Sequence, residues 1–254
     1  MSELNCPLCL SRVYQSILTK SKVRDTDNFI SSTWKFCKCG CCFNSEIHDP
    51  KDVFNAEYRK NYEDMKGVKE RQNYFIYVYG NLIEELTYGR KFLDVGYCSP
   101  YNILEMRERG WLATGIDLIE DKDYHTGDFL TFDFGKERFD YIKMSDLLQC
   151  ITDPLAVIKK AYDLLYPSGV LLISTPDTDL IRDNFFPNWG HWNAKENRQY
   201  VNESILREML VKCNDVLDGR FVVKFVHRDI SRRFISWNTL HLIAVKEKRE
   251  PVVI

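Results

Sequence analysis

No stretch of this chain is long and apolar enough to span a bilayer, and its first residues, MSELNCPLCL, do not form a signal-peptide pattern. Long Lys/Arg runs are also missing, and the formal net charge is only −2. These absences argue against a membrane protein and against nonspecific binding to a nucleic-acid backbone. A cytoplasmic location is the expectation, and the basic residues Arg228, Arg232 and Arg233 read as a solvated face. Cysteine is sparse over most of the length: Cys98, Cys150 and Cys213 stand alone and are expected to be small core residues. Glycine is missing where it would say most. The stretch FLDVGYCSPYN, residues 92–102, reads as a buried strand entering a tight turn, yet it lacks two of the glycines that nucleotide-binding loops usually carry.

What is present points to a folded α/β protein. A chain of 254 residues with 44% hydrophobic and 13% aromatic content can fill a full core, which argues against disorder. Six of the nine cysteines fall in the first 42 residues. Cys6 and Cys9 have the C-x2-C spacing that lets two thiolates of one turn meet a zinc ion, and Cys37, Cys39, Cys41 and Cys42 follow as a second cluster. Two such knuckles make a four-thiolate structural site. Cys39 with Cys42 repeats the C-x2-C spacing and is favoured; Cys37 is the competing ligand. Four sulfurs leave no open coordination position, so the expected zinc is structural rather than catalytic. It would hold together a segment, residues 1–48, too small to fold by burial alone.

Residues 49–88 read as a helical connection packing on the core, with an aromatic stripe expected at Tyr74, Phe75, Tyr77, Val78 and Leu82. From residue 89 a βαβ rhythm begins. KFLDVG, WLATGIDL, RFDYIKMS and VLLISTP are buried-strand runs; PYNILEMRERG and DPLAVIKKAYDLLYPSG are helices with a Gly110 stop and an Asp153-Pro154 start. This succession is a doubly wound sheet, in which ligands bind outside the carboxyl ends of the strands where the order reverses. The tracts at 94–99, 144–147, Asp117 and Asp128 then surround one crevice. Gly96 allows close backbone approach, and Asp117 at the end of the second strand suits the two hydroxyls of a ribose. Asp128 with Phe129 offers an adenine amino contact and an apolar wall. After the fifth strand no second mononucleotide half follows; FVVKFVHRDI and NTLHLIAVKEK read instead as a terminal antiparallel hairpin.

With these motifs in place, residues 91–177 resemble the type 11/23 group of class I S-adenosylmethionine-dependent methyltransferases. The resemblance implies a seven-stranded Rossmann-like sheet ending in an antiparallel hairpin, preceded by the small zinc-binding segment. Residues 89–254 would form the methyltransferase domain, with a substrate lid at about 178–210. It implies that Asp94, Gly96 and Tyr97 surround the methionine part of the cofactor and that Asp117 binds the ribose. Asp128 and Phe129 would take the adenine side, with Met144, Ser145 and Leu147 flanking the cofactor. Cys98 replaces the middle glycine of the family loop, and Gln149 stands where a His is common. The cysteine pairs ahead of such a domain are also similar to zinc-containing sugar methyltransferases, although the long extra C-terminal domain of those enzymes is not expected here. Glu196-Asn197, Tyr200 and Ser204-Ile205-Leu206 match their lid spacing with Asn in place of His, and an amide cannot act as a base. His191 and Glu196 are therefore the candidate catalytic residues. The expected function is methylation of a small-molecule or glycan-like acceptor at O, N or C, with S-adenosylmethionine and structural zinc as cofactors. The alternatives are an RNA- or protein-modifying methyltransferase and an inactive binding protein of this fold.

Overall fold

The computed structural model describes residues 5–12, 14–22, 29–44, 49–179, 181, 189, 191–214, 219–230 and 238–248. Arg232 and Arg233, part of the lid and the turn of the terminal hairpin lie outside the described residues. Among the described residues, no helix is long and apolar enough to cross a membrane.

The larger sheet contains β4 (Lys91–Val95), β5 (Leu112–Asp117), β6 (His125–Thr126), β7 (Phe139–Ser145), β8 (Leu165–Pro176), β10 (Gly219–Ile230) and β11 (Asn238–Lys248). Its order is β10-β11-β8-β7-β4-β5-β6. Pairing is parallel from β6 to β8, and β11 runs antiparallel to both β8 and β10. This is the expected seven-stranded sheet with a terminal antiparallel hairpin. The order reverses between β4 and β7, which opens a crevice at their carboxyl ends.

Helices cover both faces. α3 (Val68–Leu86) and α4 (Tyr101–Glu108) pack Phe75, Ile76, Tyr79, Ile83, Ile103 and Met106 on one side. α5 (Pro154–Leu164) and α6 (Glu203–Asn214) pack the other, through residues such as Val157, Ile158, Leu206 and Met209. α5 starts as its sequence predicts: the Asp153 side chain caps Ala156 N at 2.9 Å, and Pro154 occupies the first turn. The stripe on α3 differs from the expected one, because Tyr77 and Val78 are exposed while Phe75, Ile76, Tyr79 and Ile83 face the sheet. With 3.6 residues per turn, the 75-76-79-83 set forms one continuous face that the expected set does not. The Pro167-Ser168-Gly169 helix stop lies within β8, where the pairing register with β7 shifts and Ser168 adopts φ +64°.

The first segment is built on a smaller antiparallel sheet of β1 (Tyr14–Lys22), β2 (Phe29–Cys37), β3 (Cys42–Asn44) and β9 (Gln199–Tyr200). β9 comes from the stretch expected as a lid, and pairs Tyr200 with Cys42 and Gln199 with Phe43. Trp34, Phe36, Cys42, Trp189, Trp192 and Tyr200 form a separate aromatic core beneath this sheet. The N-terminal segment thus has hydrophobic burial of its own, drawn from the lid. Two short helices, α1 (Pro50–Val53) and α2 (Ala56–Glu63), lead from it to α3.

Candidate active site

A cavity of about 870 Å³ opens at the carboxyl edge of the sheet. It lies near the upper end of the roughly 300–1,000 Å³ usual for small-molecule sites. Its lining brings together the turn after β4, Asp117, Asp128 with Phe129, Tyr58 and Tyr62 of α2, the turn after β7, and His191, Glu196 and Asn197.

The turn after β4 does what its single glycine permits. Gly96 sits at φ +68°, and a Cβ there would come within 2.8 Å of Leu147 Cδ1. Cys98 also adopts a left-handed conformation, φ +54°, which for a side-chain-bearing residue costs about 1–2 kcal/mol. Its N–H donates to Asp117 Oδ2 at 2.8 Å, and Ile119 N–H donates to Asp117 Oδ1 at 2.9 Å. Each carboxylate oxygen keeps acceptor capacity for a hydroxyl. Burial pushes the Asp117 carboxyl upward, opposed by these N–H bonds and by Arg59. The side chain at position 98 therefore leaves the turn geometry intact.

Of the expected cofactor residues, Gly96, Tyr97, Asp117, Asp128, Phe129, Ser145 and Leu147 line this one cavity. Asp128 is held by a 2.7 Å hydrogen bond from Leu130 N. The Tyr97 hydroxyl donates to Asp121 Oδ2 at 3.0 Å and accepts from Arg59 Nη2 at 3.2 Å, in a group closed by the 2.8 Å Arg59–Asp121 salt bridge. Asp94 stands behind the wall, fully buried, with its carboxylate on Lys143 Nζ at 2.9 and 3.2 Å. Met144 does not reach the cavity: strand alternation turns it into the α5–α6 side of the core, while Lys143 and Ser145 line the site.

The expected catalytic residues His191 and Glu196 both line the cavity, as do Cys98 and Cys150, so those two lone cysteines are not core residues. Cys213 is fully buried. Glu196 Oε2 takes the Tyr58 hydroxyl at 3.5 Å, and His191 packs edge-on to Trp189 at 5.0 Å. Asn197 is a fastener rather than a base: its Nδ2 donates to His191 O at 3.2 Å and to Tyr200 Oη at 3.0 Å. Tyr200 also donates to His191 O and is fully buried.

Lys143 and Tyr58 are not among the residues expected at the crevice, and Asp146 is expected there only as part of the 144–147 tract. The signal for Lys143 was available: a lysine inside the apolar run YIKM must find a buried partner, and FLDV on the neighbouring strand carries one. Tyr58 comes from a helix that only tertiary packing brings to the site.

The cysteine cluster settles differently from the favoured pairing. Sγ atoms of Cys6, Cys9, Cys37 and Cys39 all lie within 4.8 Å of one another, with Cys6–Cys39 at 3.7 Å and Cys9–Cys37 at 3.4 Å. Tetrahedral zinc with Zn–S bonds of about 2.3 Å sets sulfurs about 3.8 Å apart, so these four could hold the ion. Cys42 is excluded by the pleat of β3, which sends Cys41 and Phe43 toward the cluster side and Cys42 into the aromatic core.

The family described as "Methyltransferase domain" matches residues 69–214. Ubiquinone biosynthesis O-methyltransferase of Haemophilus ducreyi is 30% identical over 108 residues, covering 35% of this chain and 46% of that one. Its counterpart in Actinobacillus pleuropneumoniae serotype 7 is 30% identical over the same length and shares. The chain spans about half the length of the curated relatives it matches. Among solved structures, the Burkholderia thailandensis 1,6-didemethyltoxoflavin-N1-methyltransferase superposes with a TM-score of 0.61 at 16% identity, over 91% of this chain and 100% of that one. Magnesium protoporphyrin IX methyltransferase of Synechocystis PCC 6803 gives 0.54 at 16% identity, over 78% and 98%. At such identities these two structures speak to the fold. The family match covers more than half of the chain, which belongs to the methyltransferase-domain family.

Proposed function

We propose that this protein transfers the methyl group of S-adenosylmethionine to a small-molecule or glycan-like acceptor in the cytoplasm. The observation that carries the reading is the cavity at the β4/β7 reversal, where Gly96, Asp117 and the Asp128–Phe129 pair line one end. The turn after β4 would receive the methionine part, Asp117 the ribose and Asp128 with Phe129 the adenine. Two buried polar atoms that line the cavity, Gln72 Oε1 beside the turn after β4 and Ser174 Oγ beside the turn after β7, have no partner among the described residues, as expected of a site built for a polar ligand. The two similar structures contain S-adenosylhomocysteine, which supports this choice of cofactor.

Methyl transfer asks little of the protein beyond alignment, because the sulfonium is already activated. Tyr58, His191 and Glu196 would shape the acceptor end. Zinc, held by Cys6, Cys9, Cys37 and Cys39, would cross-link the first turn to the β2–β3 hairpin and supply no chemistry. Calorimetric titration tests the reading. The native protein should bind S-adenosylmethionine and S-adenosylhomocysteine, and Asp117→Ala should weaken both by roughly 10- to 100-fold, the worth of charge-assisted hydrogen bonds. Absence of binding by the native protein would overturn it.

A further inference from the structure

The acceptor end of the cavity has a chemical bias that the cofactor does not explain. Six carboxylates line the whole cavity, against two cations, Arg71 and Lys143, and Lys143 is already committed to Asp94. Asp117 and Asp128 belong to the nucleoside end. Asp146, directly after β7, lines the same cavity and is within electrostatic reach of Glu196.

Asp146 is held there at some expense. Its backbone is left-handed at φ +52°, a conformation that persists when the surroundings enforce it and that recurs at ligand sites. Asp146 N–H donates to Ser174 O at 2.9 Å, which fixes the turn against β8. The carboxylate accepts one side-chain hydrogen bond, from Gln149 Nε2 at 3.3 Å, and takes no salt bridge among the described residues. Gln149 is oriented in turn by Thr175, whose hydroxyl donates to Gln149 Oε1 at 3.4 Å. Gln149 is therefore a positioning residue for an acid. Its amide is neutral, so Asp146 gains a hydrogen bond without a compensating charge.

The other charged and titratable groups facing Asp146 are Lys143, Glu196, Tyr62 and Cys150. The surrounding protein and Glu196 both raise the Asp146 carboxyl, while its side chain stays open to the cavity. A cation between Asp146 and Glu196 would relieve both effects. Independently, Ser174 Oγ is 1% exposed, lines the same cavity and has no partner among the described residues. It supplies a polar contact next to the same turn.

We infer that the acceptor is a small molecule bearing a basic nitrogen, and that Asp146 takes this nitrogen with Glu196 completing an acidic clamp. The inference rests on the methyltransferase reading above. An ammonium R–NH3+ delivers one proton to the Asp146 carboxylate. The freed lone pair attacks the sulfonium methyl carbon; the C–N bond forms, the C–S bond breaks, and its electron pair stays on sulfur. The products are R–NH2+–CH3 and neutral S-adenosylhomocysteine, and the Asp146 proton leaves to solvent as the product departs.

The test titrates the full chain, loaded with S-adenosylhomocysteine, with three probes of matched shape: phenethylamine, 2-phenylethanol and phenylacetate. Phenethylamine should bind about 10- to 100-fold more tightly than the alcohol, and phenylacetate more weakly than either. Asp146→Asn, of the same size, should abolish the amine preference while S-adenosylhomocysteine affinity stays within about two-fold, which shows the variant is folded. Glu196→Gln should reduce the preference in part. Equal binding of alcohol and amine, no amine binding, or a preference that survives Asp146→Asn would overturn the inference. If Asp146 instead serves the sulfonium, Asp146→Asn would weaken S-adenosylmethionine but not S-adenosylhomocysteine, without any amine preference; that result also overturns it. Failure of the native protein to bind S-adenosylhomocysteine would remove the methyltransferase reading and this inference together, a separate outcome from cofactor binding without amine selectivity.

Discussion

Replacing Lys143 by Met tests how the floor of the cavity is held. Lys143 is 3% exposed and Asp94 0%, and the two share contacts of 2.9 and 3.2 Å on adjacent strands. The ammonium also lies 5.5 Å from the centre of the Phe75 ring. Met preserves the length and apolar stem of the side chain, so packing changes little, but the Asp94 carboxylate remains in a dry core without its cation. Breaking one side of such a pair costs about 3–5 kcal/mol, whereas replacing both partners by neutral groups is often close to neutral. At about 2–4 °C per kcal/mol for a chain of this size, Lys143→Met should lower the midpoint of thermal unfolding by roughly 6–20 °C. The double variant Asp94→Asn/Lys143→Met should recover most of that loss. Without Lys143, burial and the charge of Asp117 raise the folded-state carboxyl of Asp94 further above the unfolded value, opposed only by a hydrogen bond from Asn102. The native state then binds the proton more tightly, so the deficit is present at neutral pH and shrinks as pH falls toward about 4. The assay is thermal and urea unfolding of the native, single and double variants at pH 7 and pH 4.5. A single-variant loss below about 1 kcal/mol, or a double-variant loss equal to the sum of the singles, would refute the reasoning.

Cys98 should be alkylated by iodoacetamide in the free protein and protected by S-adenosylhomocysteine, by a factor approaching the ratio of ligand to Kd; peptide mass spectrometry reads the rate, and unchanged labelling would place the cofactor elsewhere. Cys37→Ser should lose the zinc of the purified protein by elemental analysis, whereas Cys42→Ser should retain it and lose about 1–3 kcal/mol for burying a hydroxyl among aromatic rings; the opposite pattern would restore Cys42 as a ligand.

Local signals were legible wherever one element decides the outcome. The Asp153-Pro154 start of α5, the Gly110 stop after α4 and the apolar strands follow from capping, backbone freedom and continuous hydrophobic runs. Asp117 was readable because its place, at the end of β5 and a fixed distance past the first turn, follows from strand order. What failed depends on contacts between distant parts of the chain. The C-x2-C spacing favours Cys42, yet β3 pairs on both sides and its pleat turns Cys42 away from the thiols. Met144 fails in the same way, since strand alternation gives the cavity to Lys143 and Ser145. Asp146 lay within a tract assigned to the crevice, but its role depends on Gln149 and Thr175 from the next turn and strand. No spacing rule links those three positions.

The lid and the cysteine-rich start are two ends of one mechanical unit, a link that neither motif reveals alone. The four thiols anchor the first turn to the tip of the β2–β3 hairpin, between Cys37 and Cys42. β3 then pairs with β9, and Asn44 Nδ2 donates to Asn197 O at 2.6 Å. Asn197 and Tyr200 hold the backbone of His191, whose side chain lines the cavity beside Glu196. A continuous path of covalent and hydrogen-bonded contacts therefore runs from the thiol cluster to the acceptor wall. Gly96 and Asp117 stand instead at the ends of β4 and β5 of the larger sheet, as Asp146 does after β7. His191 and Glu196 depend on the small sheet, so loosening the thiol cluster should move these two residues before it moves Gly96, Asp117 or Asp146.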